Sequence, residues 1–339
     1  MPLGEFALID RYFRAAGARR DDVVLGVGDD GAILRPPAGF DLVAVSDTLV
    51  EGVHFPAGSP PRSIGHRALA VNLSDIAAMG AVPAWSLLAL TLPESNDSWL
   101  GEFAEGFSAL ARAHAVALVG GDTTRGPRMV NVQVMGLVRT ASGLRRSGAR
   151  IGDLLCVSGT PGDAATGLRL LQSNEALAAE NLASAHAALR HRFEYPSPRV
   201  ALGRELLDVA SACIDVSDGL AGDIDKLLAA SDCGATIDLD ALPRSAALGA
   251  LVDAGRLEDR EALRLILQGG DDYELAFTVP AAERSRLDSL MKLDLVSVIG
   301  TVTAPPKDFS AARISFSSVD PARIATARTA AAGFDHFDG

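Results

Sequence analysis

The chain has 339 residues, with 31 Lys and Arg against 43 Asp and Glu, a formal charge of −12 at pH 7 and a pI near 4.9. That balance excludes a protein gripping nucleic-acid phosphates through a broad basic surface. With 48% hydrophobic residues, a mean hydropathy of +0.20, 33 glycines and only 5% aromatics, the sequence predicts two domains of an Ala/Gly/Leu/Val-rich α/β enzyme, not an aromatic-lined binding module.

The first twenty residues carry Glu5 and Asp10 within their apolar part and lack the pattern of a signal peptide. Leu42–Val45 reads as a buried strand whose C-terminal end delivers Ser46, Asp47 and Thr48, and Ile64–Met79 as a helix stopped by Gly80. Ala81–Leu92, the longest apolar stretch, is broken by Pro83 and Ser86 and is shorter than the ~20 residues that span a bilayer; its portion from Trp85 reads as a strand. Trp99–His114 is predicted helical, Ala115–Val119 a strand ending at Gly120-Gly121-Asp122, and Met129–Val138 a further strand. The polar, basic, turn-rich segment 140–152 marks a boundary, which predicts domains over 1–145 and 146–339. Beyond it, strands are expected at Asp153–Ser158, Cys213–Val216, Ala235–Leu239, Tyr273–Val279 and Val296–Val302, with an alanine-rich helical stretch over Glu175–Leu189. Cys156, Cys213 and Cys233 form no CxxC pair and read as buried small residues. A reduced, cytoplasmic setting with no membrane association is expected.

The carboxylates recur in short turns flanked by glycine or serine: Asp29 and Asp30, Asp47, Asp75, Asp122, Asp215 and Asp218, Asp271 and Asp272. Each pair alone reads as a turn or a helix cap, and Asp218 before Gly219 has the second pattern. Their recurrence is the signal. Carboxylates crowded into one cleft raise one another's pKa unless cations intervene, and Mg²⁺ prefers such oxygen ligands. Asp75, inside an otherwise apolar helix, is the sharpest case.

Gly26-Val27-Gly28-Asp29-Asp30-Gly31 is a literal GxGxxG, but Ile33-Leu34-Arg35 runs into Pro36-Pro37 and leaves no helix to receive a pyrophosphate. No P-loop motif exists. Arg125 in its glycine-rich turn, and Arg145 and Arg146 in the boundary segment, are the residue type that forks onto phosphate, and His54 follows the Asp47 segment closely. No Ser or Cys sits in a nucleophile elbow. Carboxylates suited to Mg²⁺, glycine turns, a few arginines and no nucleophile point to phosphoryl chemistry on a nucleotide such as ATP. A non-enzymatic acidic cation-binding protein is the other reading, although no EF-hand spacing is present.

Gly4-Glu5-Phe6, Gly26-Val27-Gly28-Asp29-Asp30, Ser46–Phe55, Ala68–Gly80, Gly120–Gly126, Arg146-Ser147-Gly148, Asp215–Leu220 and Gly269–Leu275, in this order, resemble the bacterial thiamine-monophosphate kinases. Gly333–Phe337 is similar to that family's C-terminal end. The resemblance implies an α/β (α+β) chain of two aminoimidazole ribonucleotide synthetase-like domains, with mixed sheets covered by helices, working as a cytoplasmic homodimer. It implies ATP-dependent phosphorylation of thiamine monophosphate to thiamine diphosphate, the last step in making that cofactor, by Mg²⁺-assisted direct in-line transfer. The N-terminal domain would bind Mg²⁺ and ATP and form the dimer, and the C-terminal domain would complete the ATP and substrate sites. The resemblance assigns Mg²⁺ ligands at Asp30, Ser46, Asp47, Asp75, Asp122, Asp215 and Asp218, with Asp47, Asp75 and Asp122 catalytic. ATP contacts fall at Gly121, Asp122, Arg146 and Ser217, and thiamine-phosphate contacts at His54, Asp271 and Ala331. A K⁺ requirement stays open, as does another phosphate acceptor within the superfamily.

Three positions depart from the family pattern. Val45 replaces a hydroxyl residue, Asp271 replaces a glutamate and so reaches one methylene less, and Ala331 replaces a large aromatic. An anionic phosphate oxygen as acceptor needs no general base, which fits the absence of an obvious one.

Overall fold

The helix expected over 64–79 forms as α2, Pro61–Ala78, in a computed structural model that describes residues 4–173, 182–291, 296–308 and 312–330. Proline at its first position needs no N–H partner, and Gly80, at φ +68°, follows its end. α2 is buried on nearly every face. Part of that burial comes from α3, Asp97–Ala113, which approaches very closely. A Cβ on Gly65 would stand 2.1 Å from the Phe103 carbonyl oxygen, and one on Gly106 would stand 2.0 Å from that of Arg62. The two glycines therefore permit a helix–helix distance that larger residues forbid. Asn96 caps α3, its side chain accepting from Trp99 N at 3.1 Å.

These helices belong to a unit spanning residues 1–143; a second spans 144–339. The first unit opens with α1, Glu5–Leu8, which continues as a π-helical turn over Ile9–Phe13. β1, Val23–Leu25, and β2, Ile33–Leu34, then pair antiparallel. A strand after the GxGxxG segment, where a dinucleotide fold has a helix, supports the exclusion of that fold. The main sheet has the order β3-β6-β4-β5, with β3 at Phe40–Val50, β4 at Val82–Leu92, β5 at Ala117–Arg125 and β6 at Met129–Arg139. All pairs are antiparallel except β4–β5.

Two of these strands outrun their sequence expectation. β3 does not end at Ser46 but pairs with β6 through all eleven residues, because an edge strand tolerates the polar alternation of Ser46, Asp47 and Thr48. β5 does not end at Gly120: Gly121, at φ +150°, passes so close to Leu88 that a Cβ would lie 1.8 Å from its carbonyl oxygen. Glycine at that position lets the strand continue to Arg125. Asp47 and Asp122 therefore sit within strands and not in turns.

The second unit is a six-stranded sheet of order β12-β9-β11-β7-β10-β8. Its strands are β7 (Leu154–Ser158), β8 (Ala212–Val216), β9 (Gly234–Asp238), β10 (Glu274–Val279), β11 (Val296–Thr303) and β12 (Ile314–Ser317), all antiparallel except β9–β12. Helices α4 (Asp163–Gln172), α5 (Ala183–Glu194), α6 (Val200–Leu206), α7 (Leu220–Ala230), α8 (Ala246–Asp253), α9 (Asp259–Gln268), α10 (Arg284–Met291) and α11 (Pro321–Thr329) complete it. Its core joins Ile214 and Val216 of β8 to Ile224 and Leu228 of α7 and Leu263 and Ile266 of α9. The alanine-rich stretch forms helix from Ala183, and residues 174–181 lie outside the described ones. Among the described residues no helix is long and apolar enough to cross a membrane.

Candidate active site

A cavity of about 870 Å³ opens in the first unit. Phe6, Ile9 and Phe13 form one wall, the turn carrying Asp29 and Asp30 another, and Gly121 and Asp122 of β5 a third. Local contacts hold this turn in place. Asp22, just ahead of β1, accepts from Arg20 Nε (2.9 Å) and Nη2 (2.6 Å) and from Trp85 Nε1 (2.9 Å), while the same guanidinium lies over the Trp85 indole at 5.5 Å from its centroid. Those bonds, Arg20's above all, hold the Asp22 carboxyl below the usual carboxylate range. Asp29 Oδ1 accepts from Asp30 N at 2.8 Å, and Phe13 meets Phe103 edge to face at 6.5 Å.

The rest of the first unit's assigned residues divide between the two faces of the sheet. Val130, Val132 and Val134 of β6 are buried, and Asn131, Gln133 and Met135 alternate with them on the more open face. Asn131 Nδ2 reaches Ser46 Oγ (3.2 Å) and Thr48 Oγ1 (2.9 Å) on that open face, and the Asp47 carbonyl at 3.1 Å. The register runs from Asp122 through Ala89 and Asn131 to Thr48. Within one chain β5 and β3 thus stand three strand spacings apart, about 14 Å at ~4.8 Å each. Asp47 lies opposite buried Val132. Its N–H donates to Asn72 Oδ1 of α2 at 3.1 Å, and Asp75 shares that helix face, three residues on. His54 Nδ1 accepts from Val50 N at 3.1 Å, which requires that nitrogen to be unprotonated.

In the second unit Asp215 is buried on β8, and Ser217 and Asp218 follow in the turn before α7. Asp218 does not cap α7: the cap position is Gly219, with no side-chain bond. Asp223, one turn into the helix, instead accepts from Ser217 N and Asp218 N, both at 2.9 Å. The Asp218 carboxylate pairs with Lys226 Nζ at 2.6 Å, and the same ammonium reaches Asp223 at 2.8 Å. Burial pushes the Asp223 carboxyl up, against the hydrogen bond from Lys226. Asp271 is half-buried and left-handed at φ +72°; its N–H donates to Ser217 O at 2.8 Å, and its Oδ1 accepts from Tyr273 Oη at 3.2 Å. Arg145 and Arg146 are exposed, and the Arg146 carbonyl accepts from Ser231 Oγ at 3.0 Å. Ala331 lies outside the described residues.

Residues 28–138 match the family described as AIR synthase related protein, N-terminal domain, and residues 150–312 its C-terminal domain. Thiamine-monophosphate kinase of Salmonella typhimurium is 47% identical over 288 residues, 85% of this chain and 86% of that one. The chain belongs to the thiamine-monophosphate kinase family. Its fold is that of two AIR synthase-like α/β domains, and it is an enzyme, a kinase. The crystal structure of thiamine-monophosphate kinase from Stenotrophomonas maltophilia K279a superposes with a TM-score of 0.82 at 47% identity, covering 93% of this chain and 97% of that one. AaThiL complexed with AMPPCP and TMP superposes at 0.74 and 29% identity, covering 92% of each.

Among the described residues no group of three or more His, Cys, Asp or Glu is gathered closely enough to hold a metal. What the structure does assemble, the carboxylates of Asp29, Asp30 and Asp122 along one cavity, suits Mg²⁺, which is commonly held by one or two carboxylates with waters and substrate phosphates completing its shell. Sequence reasoning gave no role to Asn72, Asn131, Asp223 or Lys226. Asn131 looks like any polar residue of an alternating strand, and only the β3–β6 register reveals its partners. Asp223 and Lys226 at helical spacing after Asp218 were the one signal available.

Proposed function

We propose that the chain transfers the γ-phosphoryl group of ATP to thiamine monophosphate. A phosphate oxygen of the acceptor would form a bond to the γ-phosphorus as the bond to the β-phosphate oxygen breaks, giving thiamine diphosphate and ADP. The single observation that carries this reading is the cavity on which Asp30, Gly121 and Asp122 converge, in a chain whose relatives include one complexed with AMPPCP and TMP. An acceptor that is already anionic needs no base, and no triad geometry is required.

Mg²⁺ would be held by Asp30, Ser46, Asp47, Asp75 and Asp122 in the first unit and by Asp215 and Asp218 in the second; when bound it neutralises charge on the two anionic reactants. Asp47, Asp75 and Asp122 are the catalytic carboxylates of this reading. Gly121 and Asp122 contact ATP from the first unit, and Arg146 and Ser217 from the second. Gly121 lines the cavity directly beside Asp122, where its backbone meets the nucleotide. Arg146 offers an exposed fork, and Ser217 a hydroxyl next to the turn fastened by Asp223. His54 and Asp271 contact thiamine monophosphate, with Ala331 assigned to the same ligand. The protein works as a cytoplasmic homodimer formed by the first unit.

The direct test mixes ATP, Mg²⁺ and thiamine monophosphate and measures thiamine diphosphate. Absence of product, together with ATP turnover on another phosphate acceptor, would overturn the assignment. Asp75→Asn and Asp122→Asn should each lose at least about 10²-fold in turnover while keeping the wild-type circular dichroism spectrum. Near-normal turnover in either removes that residue from the catalytic set.

A further inference from the structure

Outside the residues assigned to ligands, a buried charge cluster of the second unit surrounds Glu274, whose side chain is fully buried at the start of β10. Its carboxylate accepts from Ser158 Oγ at 2.5 Å, from Arg199 Nε at 2.6 Å and Nη2 at 2.5 Å, and from Arg192 Nη2 at 2.8 Å. Two arginines on one buried carboxylate is more than neutralising it requires. The two differ in what else they touch. Arg199 reaches Glu274 from the start of α6 and donates to that carboxylate from both Nε and Nη2. Arg192, in the last turn of α5, also donates from Nη2 to the backbone carbonyl of Asp272 at 3.1 Å.

That carbonyl belongs to an unusual turn. Asp271 and Tyr273, on either side of Asp272, both have positive φ, +72° and +52°. For residues with a Cβ this conformation costs about 1–2 kcal/mol each and persists only where the surroundings impose it. Ser217 O and Val216 O accept the N–H groups of Asp271 and Tyr273, each at 2.8 Å. The buried Asp272 carboxylate accepts from Gly162 N at 2.7 Å and Ala164 N at 3.3 Å. Arg192 supplies the bond to the Asp272 carbonyl. It is the side chain through which the α5 helix grips the peptide between the two strained residues.

We infer that Arg192 is a positioning residue for substrate, fixing the 271–273 turn so that the shortened Asp271 carboxylate is presented to thiamine monophosphate. The inference rests on the reading above that Asp271 contacts that substrate. A carboxylate one methylene shorter than the family's glutamate has less reach with which to absorb a displaced backbone, so the turn's position matters more here. Arg199, sharing Glu274 but not the turn, is the internal control.

The experiment measures KM for thiamine monophosphate, KM for ATP and kcat in the full-length chain for Arg192→Met, Arg192→Lys, Arg199→Met and Asp271→Ala, with hydrogen exchange at the Asp271 and Tyr273 amides. Arg192→Met should raise KM for thiamine monophosphate at least fivefold, leave KM for ATP within twofold, and speed exchange at both amides. Arg192→Lys, which keeps a cation and N–H donors on a shorter side chain, should fall between Arg192→Met and the parent. Arg199→Met should lower the melting temperature and leave that KM within twofold. If Arg192→Met and Arg199→Met raise it equally, or Arg192→Met changes stability alone, the positioning role is wrong while Asp271→Ala still reports a substrate contact. If Asp271→Ala leaves KM unchanged, the underlying substrate assignment fails and takes the inference with it. Should Arg192→Met not fold, Arg192→Lys carries the same comparison.

Discussion

Gly121→Ala tests whether the path of β5 beside the cavity depends on a missing side chain. A Cβ there would stand 1.8 Å from the Leu88 carbonyl oxygen, 2.6 Å from its carbonyl carbon and 2.8 Å from its nitrogen. These are backbone atoms of the neighbouring strand and cannot rotate away. Ordinary contact begins at 3.4 Å, so β4 and β5 would have to separate locally by roughly 1.6 Å, enough to break ladder bonds on both sides. Overpacking of this kind costs about 1–3 kcal/mol, and the φ of +150° adds about 1–3 kcal/mol for a residue with a Cβ. The sum, about 2–6 kcal/mol, corresponds to a fall in melting temperature of roughly 5–20 °C for a unit of this size. Gly120→Ala is the matched control. Its Cβ would meet only the flexible Leu87 Cδ2, at 3.2 Å, and should cost no more than about 1 kcal/mol. Thermal unfolding followed by circular dichroism reads both, and an ATP titration shows whether the displaced strand still binds nucleotide. A Gly121→Ala melting temperature within 2 °C of the parent (about 1 kcal/mol or less), or equal losses in the two variants, would refute the close-approach argument.

Asp22→Asn should destabilise the first unit by about 1–3 kcal/mol, since it breaks the two-pronged pairing with Arg20. Because the Asp22 carboxyl is held low in the folded chain, mainly by Arg20, its contribution is complete above the unfolded value near 3.9 and is lost as pH falls through the folded one. Urea unfolding between pH 6 and pH 2.5 should therefore show a shallower acid loss in Asp22→Asn, and identical slopes would count against the pairing. Burial pushes the Cys156 thiol up to about 12 and raises that of Cys213, so neither should react with a thiol reagent at pH 8 until the chain unfolds. Rapid labelling of either in the native enzyme would contradict the structure.

How far the sequence could be read depended on how local the cause was. The α2 helix and the GxGxxG segment that is not followed by a helix were both written in periodicity, proline and turn composition, which act over a few residues. Family membership was legible because the motifs run in order along most of the chain. Strand ends were not. β3 and β5 extend past their apolar cores because partner strands, supplied from elsewhere in the chain, satisfy their backbone groups.

The acidic surplus identified from composition carries the same lesson. The sequence by itself determined that carboxylates, not cysteines or histidines, recur in short glycine- and serine-flanked segments, and it located those segments. Tertiary structure alone decided which share a place. Asp30 and Asp122 meet at one cavity, while Asp47 lies toward α2 and is separated from Asp122 across the sheet. It also decided that Asp218 pairs with Lys226 and that Asp223 fastens the turn ahead of α7. These are consequences of strand register, pleat and helix packing, which join residues tens of positions apart and leave no mark in any local stretch of sequence.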